Sequence, residues 1–291
     1  RFTTSSVDNI EFSANVNVHK CSDYSQNMML CEEQQIAQQI IIANVMKILA
    51  CLPTGLGKTI IAQMLADVCV KLNLKFIIAS PLRALTQEQR DTFGLFWNML
   101  ILSGDYRGNK KAIYNPNVQG YCMTYEMLFQ FISQPENKGF FDQIGAIIID
   151  EVHNVSDTSR GHKIECIINI KDRIYPQIKF LGLSATIGNY KEMAKHFGCE
   201  LVYAGNEKRP IPLEVEVIQN TYFKYAKSSE KEEMAFKNVD FLINKCNQGK
   251  VFLPLLIFVN ARNLCPSIKR YINGQYPTLR VESHNAGLKN E

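Results

Sequence analysis

Cys51-Leu52-Pro53-Thr54-Gly55-Leu56-Gly57-Lys58-Thr59 is the stretch that decides the fold, because it has the composition of a loop that wraps phosphate and opens a helix. An apolar run from Val45 to Leu52 leads into it, and Thr59-Ile60-Ile61-Ala62-Gln63-Met64-Leu65-Ala66 follows with helical spacing of apolar residues. Glycines at 55 and 57 allow backbone conformations closed to residues with a Cβ, so successive amides can turn toward phosphate oxygens. The helix N-terminus adds partial positive charge at the same place. In that setting Lys58 reaches the β and γ phosphates, and the Thr59 hydroxyl can ligate Mg²⁺. The backbone of Thr54, Gly55, Leu56 and Gly57 supplies the rest of an ATP cradle. One departure is that general P-loop spacing calls for glycine at position 52, where this chain has Leu52.

Outward from the loop, short apolar segments alternate with helical patterns, the signature of a parallel sheet covered on both faces. Strands are expected over 45–52, 75–80, 99–102, 119–123, 146–149, 179–183 and 200–203, with helices over 31–43, 58–72, 83–95 and 189–197. The last helix starts at Asn189 and stops at Gly198. The strand Ala146-Ile147-Ile148-Ile149 ends abruptly in Asp150-Glu151. Strand tips are where α/β sheets bind ligand, so Asp150 is expected to hold Mg²⁺ and Glu151 to orient and deprotonate the water that attacks the γ phosphate. A second block follows Arg209-Pro210-Ile211-Pro212, a stiff linker, and is expected to hold a helix over 229–247, a strand Leu255-Leu256-Ile257-Phe258-Val259 and a helix from Ala261 to Ile272.

Composition agrees with a two-domain α/β protein: 291 residues, 46% hydrophobic and 21% charged, with a formal net charge of +4. The nine cysteines are scattered and never spaced as Cys-x-x-Cys, which argues against zinc and a disulfide framework and for a reducing intracellular compartment, nucleus or cytoplasm. No run reaches the ~18 apolar residues of a membrane span. Residues 1–30 read as a loop-rich lead-in, 31–207 as the ATP-binding domain and 208–291 as an incomplete second domain.

Pro-Thr-Gly-Leu-Gly-Lys-Thr resembles motif I of superfamily II helicases, and Asp150-Glu151-Val152-His153 resembles their DExH box. Ser184-Ala185-Thr186 resembles motif III. Pro81-Leu82-Arg83-Ala84-Leu85, Ser103-Gly104-Asp105-Tyr106 and Thr124-Tyr125-Glu126-Met127 resemble the segments that form the strand-binding surface. Arg160-Gly161 with Glu165, Arg209-Pro210, Leu256 to Arg262 as motif IV and His284-Asn285-Ala286-Gly287-Leu288 are similar to the superkiller-like branch of RNA and DNA helicases, with Asn285 where that branch has a second histidine. The resemblance implies a RecA-like first domain, a partial second one, and coupling of the two sites through His153, Ser184, Ala185 and Thr186. It implies nucleic-acid contacts at Pro81, Arg83, Ser103, Gly104, Asp105, Thr124, Glu126, Asn260, Arg262 and His284. It also implies an adenine-reading glutamine upstream of the loop; Gln34 and Gln35 are near the right distance, Gln38 and Gln39 compete, and Gln35 is assigned.

What the resemblance implies for function is a monomeric ATP- and Mg²⁺-dependent motor on single-stranded RNA or DNA, alone or within a larger complex. No Gln-x-x-Gly-Arg-x-x-Arg motif occurs before Glu291, so the chain is expected to be a helicase fragment with weak turnover. The alternatives are a non-catalytic ATP-binding module and the motor subunit of a restriction or remodelling machine.

Overall fold

The computed structural model describes residues 30–102, 113–213, 215, 228–247, 255–259 and 263–283. The chain divides into two compact units, Arg1–Glu214 and Val215–Glu291.

In the first unit the apolar runs form a seven-stranded sheet: β1 (Lys47–Cys51), β2 (Lys75–Ser80), β3 (Met99–Leu102), β4 (Gly120–Thr124), β5 (Ile144–Ile149), β6 (Lys179–Ser184) and β7 (Glu200–Tyr203). Their order across the sheet is β3-β4-β2-β5-β6-β1-β7, and every pairing is parallel. Strands β2, β5 and β6 are buried along their whole length, which is why they read as unbroken apolar runs rather than alternating ones.

Helices α1 (Glu32–Ile42), α2 (Lys58–Lys71) and α3 (Arg83–Gly94) cover one face, with Ala37, Ile41, Met64, Val68 and Phe93 packed on Ile48, Ile78 and Ile148. The other face is covered by α4 (Tyr125–Ile132), the short α5 (Lys138–Phe141), α6 (Gly161–Ile174) and α7 (Tyr190–Phe197), whose Leu128, Phe140, Ile164, Ile167 and Phe197 pack on Leu49, Ile147 and Phe180. The strands begin and end within a residue or two of expectation. Helices α4, α5 and α6 were not among the expected elements. Asn189 occupies the N-cap of α7 without a side-chain capping bond, and Gly198 ends that helix in the left-handed conformation.

The second unit contains α8 (Ser228–Asn247) and α9 (Leu264–Gln275), joined through Val239, Ile243, Ile268 and Ile272. The aromatic rings of Phe236 and Tyr271 stack at 4.2 Å, and the hydroxyls of Tyr271 and Tyr276 donate to Asp240 at 2.7 and 2.9 Å. Two expectations are corrected here. Residues 255–259 are not a strand: they alternate in burial, with Leu256 and Phe258 exposed, but pair with no neighbour among the described residues. A strand needs a ladder as well as a pattern. The last helix starts at Leu264 rather than Ala261, with Pro266 in its first turn, where a missing amide hydrogen is tolerated.

Candidate nucleotide-binding and hydrolysis site

The phosphate loop leaves β1 at the C-terminal edge of the sheet. Gly55 and Gly57 both take positive φ, +91° and +79°, so both positions favour glycine. At Gly57 there is a second reason, because a Cβ would sit 2.4 Å from the Nε2 of Gln34. Gln34, nearly fully buried in α1, donates that amide to the carbonyls of Leu56 and Gly57 at 3.1 and 3.4 Å, and its Oε1 accepts from the Cys31 amide at 3.0 Å. One side chain thereby fixes the loop to the first turn of α1. Lys208 adds a second tie near that turn, donating to Glu32 at 2.9 Å and to the buried Glu33. Gln35, the assigned adenine reader, points elsewhere: it is exposed and donates to Leu30 O at 2.9 Å. The residue against the loop is its neighbour, Gln34.

No side chain caps α2, whose N-cap is Gly57, so the helix opens behind the loop without a side-chain acceptor. Lys58 donates to the Leu52 carbonyl at 3.3 Å, and Thr54 and Gly55 are exposed at the tip.

The acidic pair sits at the tip of β5. The Asp150 amide donates to Ala79 O on β2 at 2.9 Å, while its carboxylate accepts from Gln89 Nε2 at 2.8 Å and from the Glu151 amide at 3.0 Å. Burial, and next the charge of Glu151, hold the Asp150 carboxyl above its ordinary range, with Gln89 and Lys58 opposing them. Glu151 has φ +51°, unusual for a residue with a side chain and costing on the order of 1–3 kcal/mol. Its carbonyl accepts from Asn154 Nδ2 at 2.9 Å. Its buried Oε2 makes no hydrogen bond, although His153 Nδ1 is 3.3 Å away. His153 Nδ1 is in turn 3.3 Å from Ser184 Oγ at the tip of β6, and Ser184 Oγ donates to Ala185 O. Thr186 Oγ1 is 3.5 Å from Ala204 O. The two strand tips are therefore joined by side chains. A buried carboxyl displaced upward and an orphaned carboxylate oxygen beside it are what a divalent cation and an ordered water would satisfy, so the residues fit Mg²⁺.

The expected strand-binding residues lie farther along the same edge. Pro81 is buried and Arg83 exposed at the start of α3. A cavity of about 390 Å³ is lined by Arg83, Thr86, Gln87, Thr124, Glu126 and Gln130. Thr124 is occupied as the N-cap of α4, accepting from Met127 N at 3.3 Å. Glu126 pairs with Lys163 at 3.4 Å and Arg160 at 3.6 Å; against the opposing effect of burial, its own backbone amide and then these two cations hold its carboxyl low. Ser103, Gly104, Asp105, Asn260, Arg262 and His284 lie outside the described residues. Gln34 was offered beside Gln35, and Tyr125 lay inside a quoted segment without a role of its own; Gln89 and Asn154 were missed. Gln34 also carried a local sequence signal, lying three residues after the N-cap of its helix as in a capping box.

A parallel sheet with a phosphate loop after its first strand and an acidic pair at a nearby strand tip defines a RecA-like nucleotide-binding domain. The pattern of the DEAD/DEAH box helicase family matches residues 32–193, more than half of the chain, and the chain belongs to that family. It is 28% identical over 188 residues to the ATP-dependent DNA helicase Hel308 of Pyrobaculum calidifontis, covering 62% of this chain and 25% of the relative. With the Hel308 helicase of Thermoplasma volcanium it shares 27% over 275 residues, 91% of this chain and 37% of the relative. With the chloroplastic DExH-box ATP-dependent RNA helicase DExH15 of Arabidopsis thaliana it shares 35% over 176 residues, 55% of this chain and 14% of the relative. The chain thus spans well under half the length of each. These relatives bear out the resemblance to superfamily II and its superkiller-like branch.

Proposed function

We propose that this chain carries the ATP-hydrolysing core of a motor that moves along single-stranded nucleic acid. The observation that carries the reading is the placement of an uncapped glycine loop, Lys58 and the Asp150-Glu151 pair along one edge of one sheet. Lys58 and the α2 amides bind the phosphates, Thr59 and Asp150 hold Mg²⁺, and Glu151 accepts the proton of the attacking water. Bound Mg²⁺ supplies neutralisation of charge on the phosphate oxygens. His153 and Ser184 orient Glu151 and link it to β6 and to the segment at Thr186. Arg83 and the cavity beside it are positioned to take phosphate groups of a strand, so affinity should fall steeply with salt.

In this reading the second unit is part of a second RecA-like domain. The names of the relatives include both a DNA and an RNA helicase, so the substrate class is single-stranded nucleic acid of either sugar. Widely spaced cysteines support an intracellular, reducing location.

The test is Mg-ATP turnover with and without single-stranded RNA and DNA, using Glu151→Gln as the blank. Stimulation by a strand, absent in Glu151→Gln with ATP binding retained, is the expected result. Tight ATP binding with no stimulated turnover would instead assign the chain to the non-catalytic module. Stimulation by one polymer alone names the substrate.

A further inference from the structure

Tyr125 is fully buried at the first position of α4, directly after Thr124 of the expected strand-binding surface. Its hydroxyl donates to the Asp150 carbonyl, and the Glu151 carbonyl is 3.3 Å from the same oxygen. Those are the main-chain groups on either side of the left-handed turn that aims Glu151. The next residue, Glu126, reaches the same segment farther on through Arg160 and Lys163. The N-terminus of α4 is thus fastened twice to the chain that follows β5. Nothing in the ordinary packing of a parallel sheet needs a tyrosine there. The ring fills core space that phenylalanine would fill, and the hydroxyl adds the hydrogen bond to the turn.

We infer that Tyr125 is a positioning residue: its hydroxyl holds the strained Asp150-Glu151 main chain and carries the position of α4, set by a bound strand, to the base that activates water. This rests on the nucleotide and strand reading given above. It adds a second linkage between the two sites, on the β4–β5 side of the sheet, separate from the one through His153 and Ser184. A rigid hydrogen bond suits this role, because a small displacement of a reacting group is enough to slow a chemical step severely.

Tyr125→Phe deletes the hydroxyl and keeps the ring. Mg-ATP hydrolysis by the whole chain is measured with and without a single-stranded oligonucleotide, Mg-ATP affinity by titration, and amide hydrogen exchange over residues 150–156. The expected result is a kcat lower by roughly ten- to hundredfold with Mg-ATP affinity changed by less than about twofold. Exchange at 151–154 should quicken, and its response to the oligonucleotide should disappear. Wild-type kcat and wild-type exchange in Tyr125→Phe would overturn the inference. Should the variant not fold, the wild-type chain decides: oligonucleotide binding that leaves exchange at 151–154 unchanged overturns the linkage, and slowing there supports it. Failure of the nucleotide reading looks different, as unaltered Mg-ATP binding in Lys58→Ala.

Discussion

In the proposed reading Lys58 and Glu151 divide binding from chemistry between two side chains, and each can be tested apart from the other. Removing the Lys58 ammonium deletes a charge-assisted contact, so Lys58→Ala should bind Mg-ATP roughly ten- to hundredfold more weakly by titration calorimetry, with little change in melting temperature. Both residues were legible because their chemistry is written in short motifs with fixed spacing. The partners that aim them were not. Gln34 and Gln35 are adjacent polar residues on one helix, and only the three-dimensional path of α1 decides which one meets the loop. Gln89 and Tyr125 come to Asp150 from α3 and α4, elements far from it in sequence and brought near by β2 and β4. No local pattern could have linked them.

Elements β5 and β6 show how a buried parallel strand handles charge. Lys179 opens β6 almost completely buried, donating to Val45 O, and burial lowers its pKa to about 8. In the unfolded chain an ordinary lysine keeps its proton to higher pH, so between about 8 and 10.5 the unfolded state binds more protons and the fold gains stability as pH rises. Below pH 8 the desolvation penalty is fully present. Chemical denaturation of wild type and Lys179→Met should therefore show the variant favoured at pH 7 and the wild type recovering on the order of 2 kcal/mol by pH 10.

A second prediction concerns the start of α6. A Cβ on Gly161 would lie 1.9 Å from Val155 O, a backbone atom that cannot rotate away, so Gly161→Ala must displace the turn carrying Asn154 and Glu151. A melting temperature lower by several degrees together with reduced turnover is expected. The β elements were readable because full burial leaves continuous apolar runs. Helix α6 carried its signal at Ile164, Ile167 and Ile168, but lacks a capping residue at its start, and 255–259 carried a strand's alternation without a strand's neighbours.

At the scale of the whole chain, the two units differ sharply in how much core they own. Both large clusters flanking the sheet belong to the first unit, whereas the second unites Val239, Ile243, Ile268 and Ile272. A protein comprising residues 30–214 should melt cooperatively and bind Mg-ATP as the full chain does, while 215–291 alone should show no sharp transition by circular dichroism. The order of strands carries a further consequence, one of timing. Strand β1 bears the phosphate loop yet pairs only with β6 and β7, Leu49 lying between Gly182 and Leu201. A ribosome delivers the loop before either of its neighbours. Until Ser184 has left the exit tunnel the loop's strand has no edge to join, so the site is assembled only after β6 is made and its apolar strand waits exposed, open to chaperones before it can hold a nucleotide.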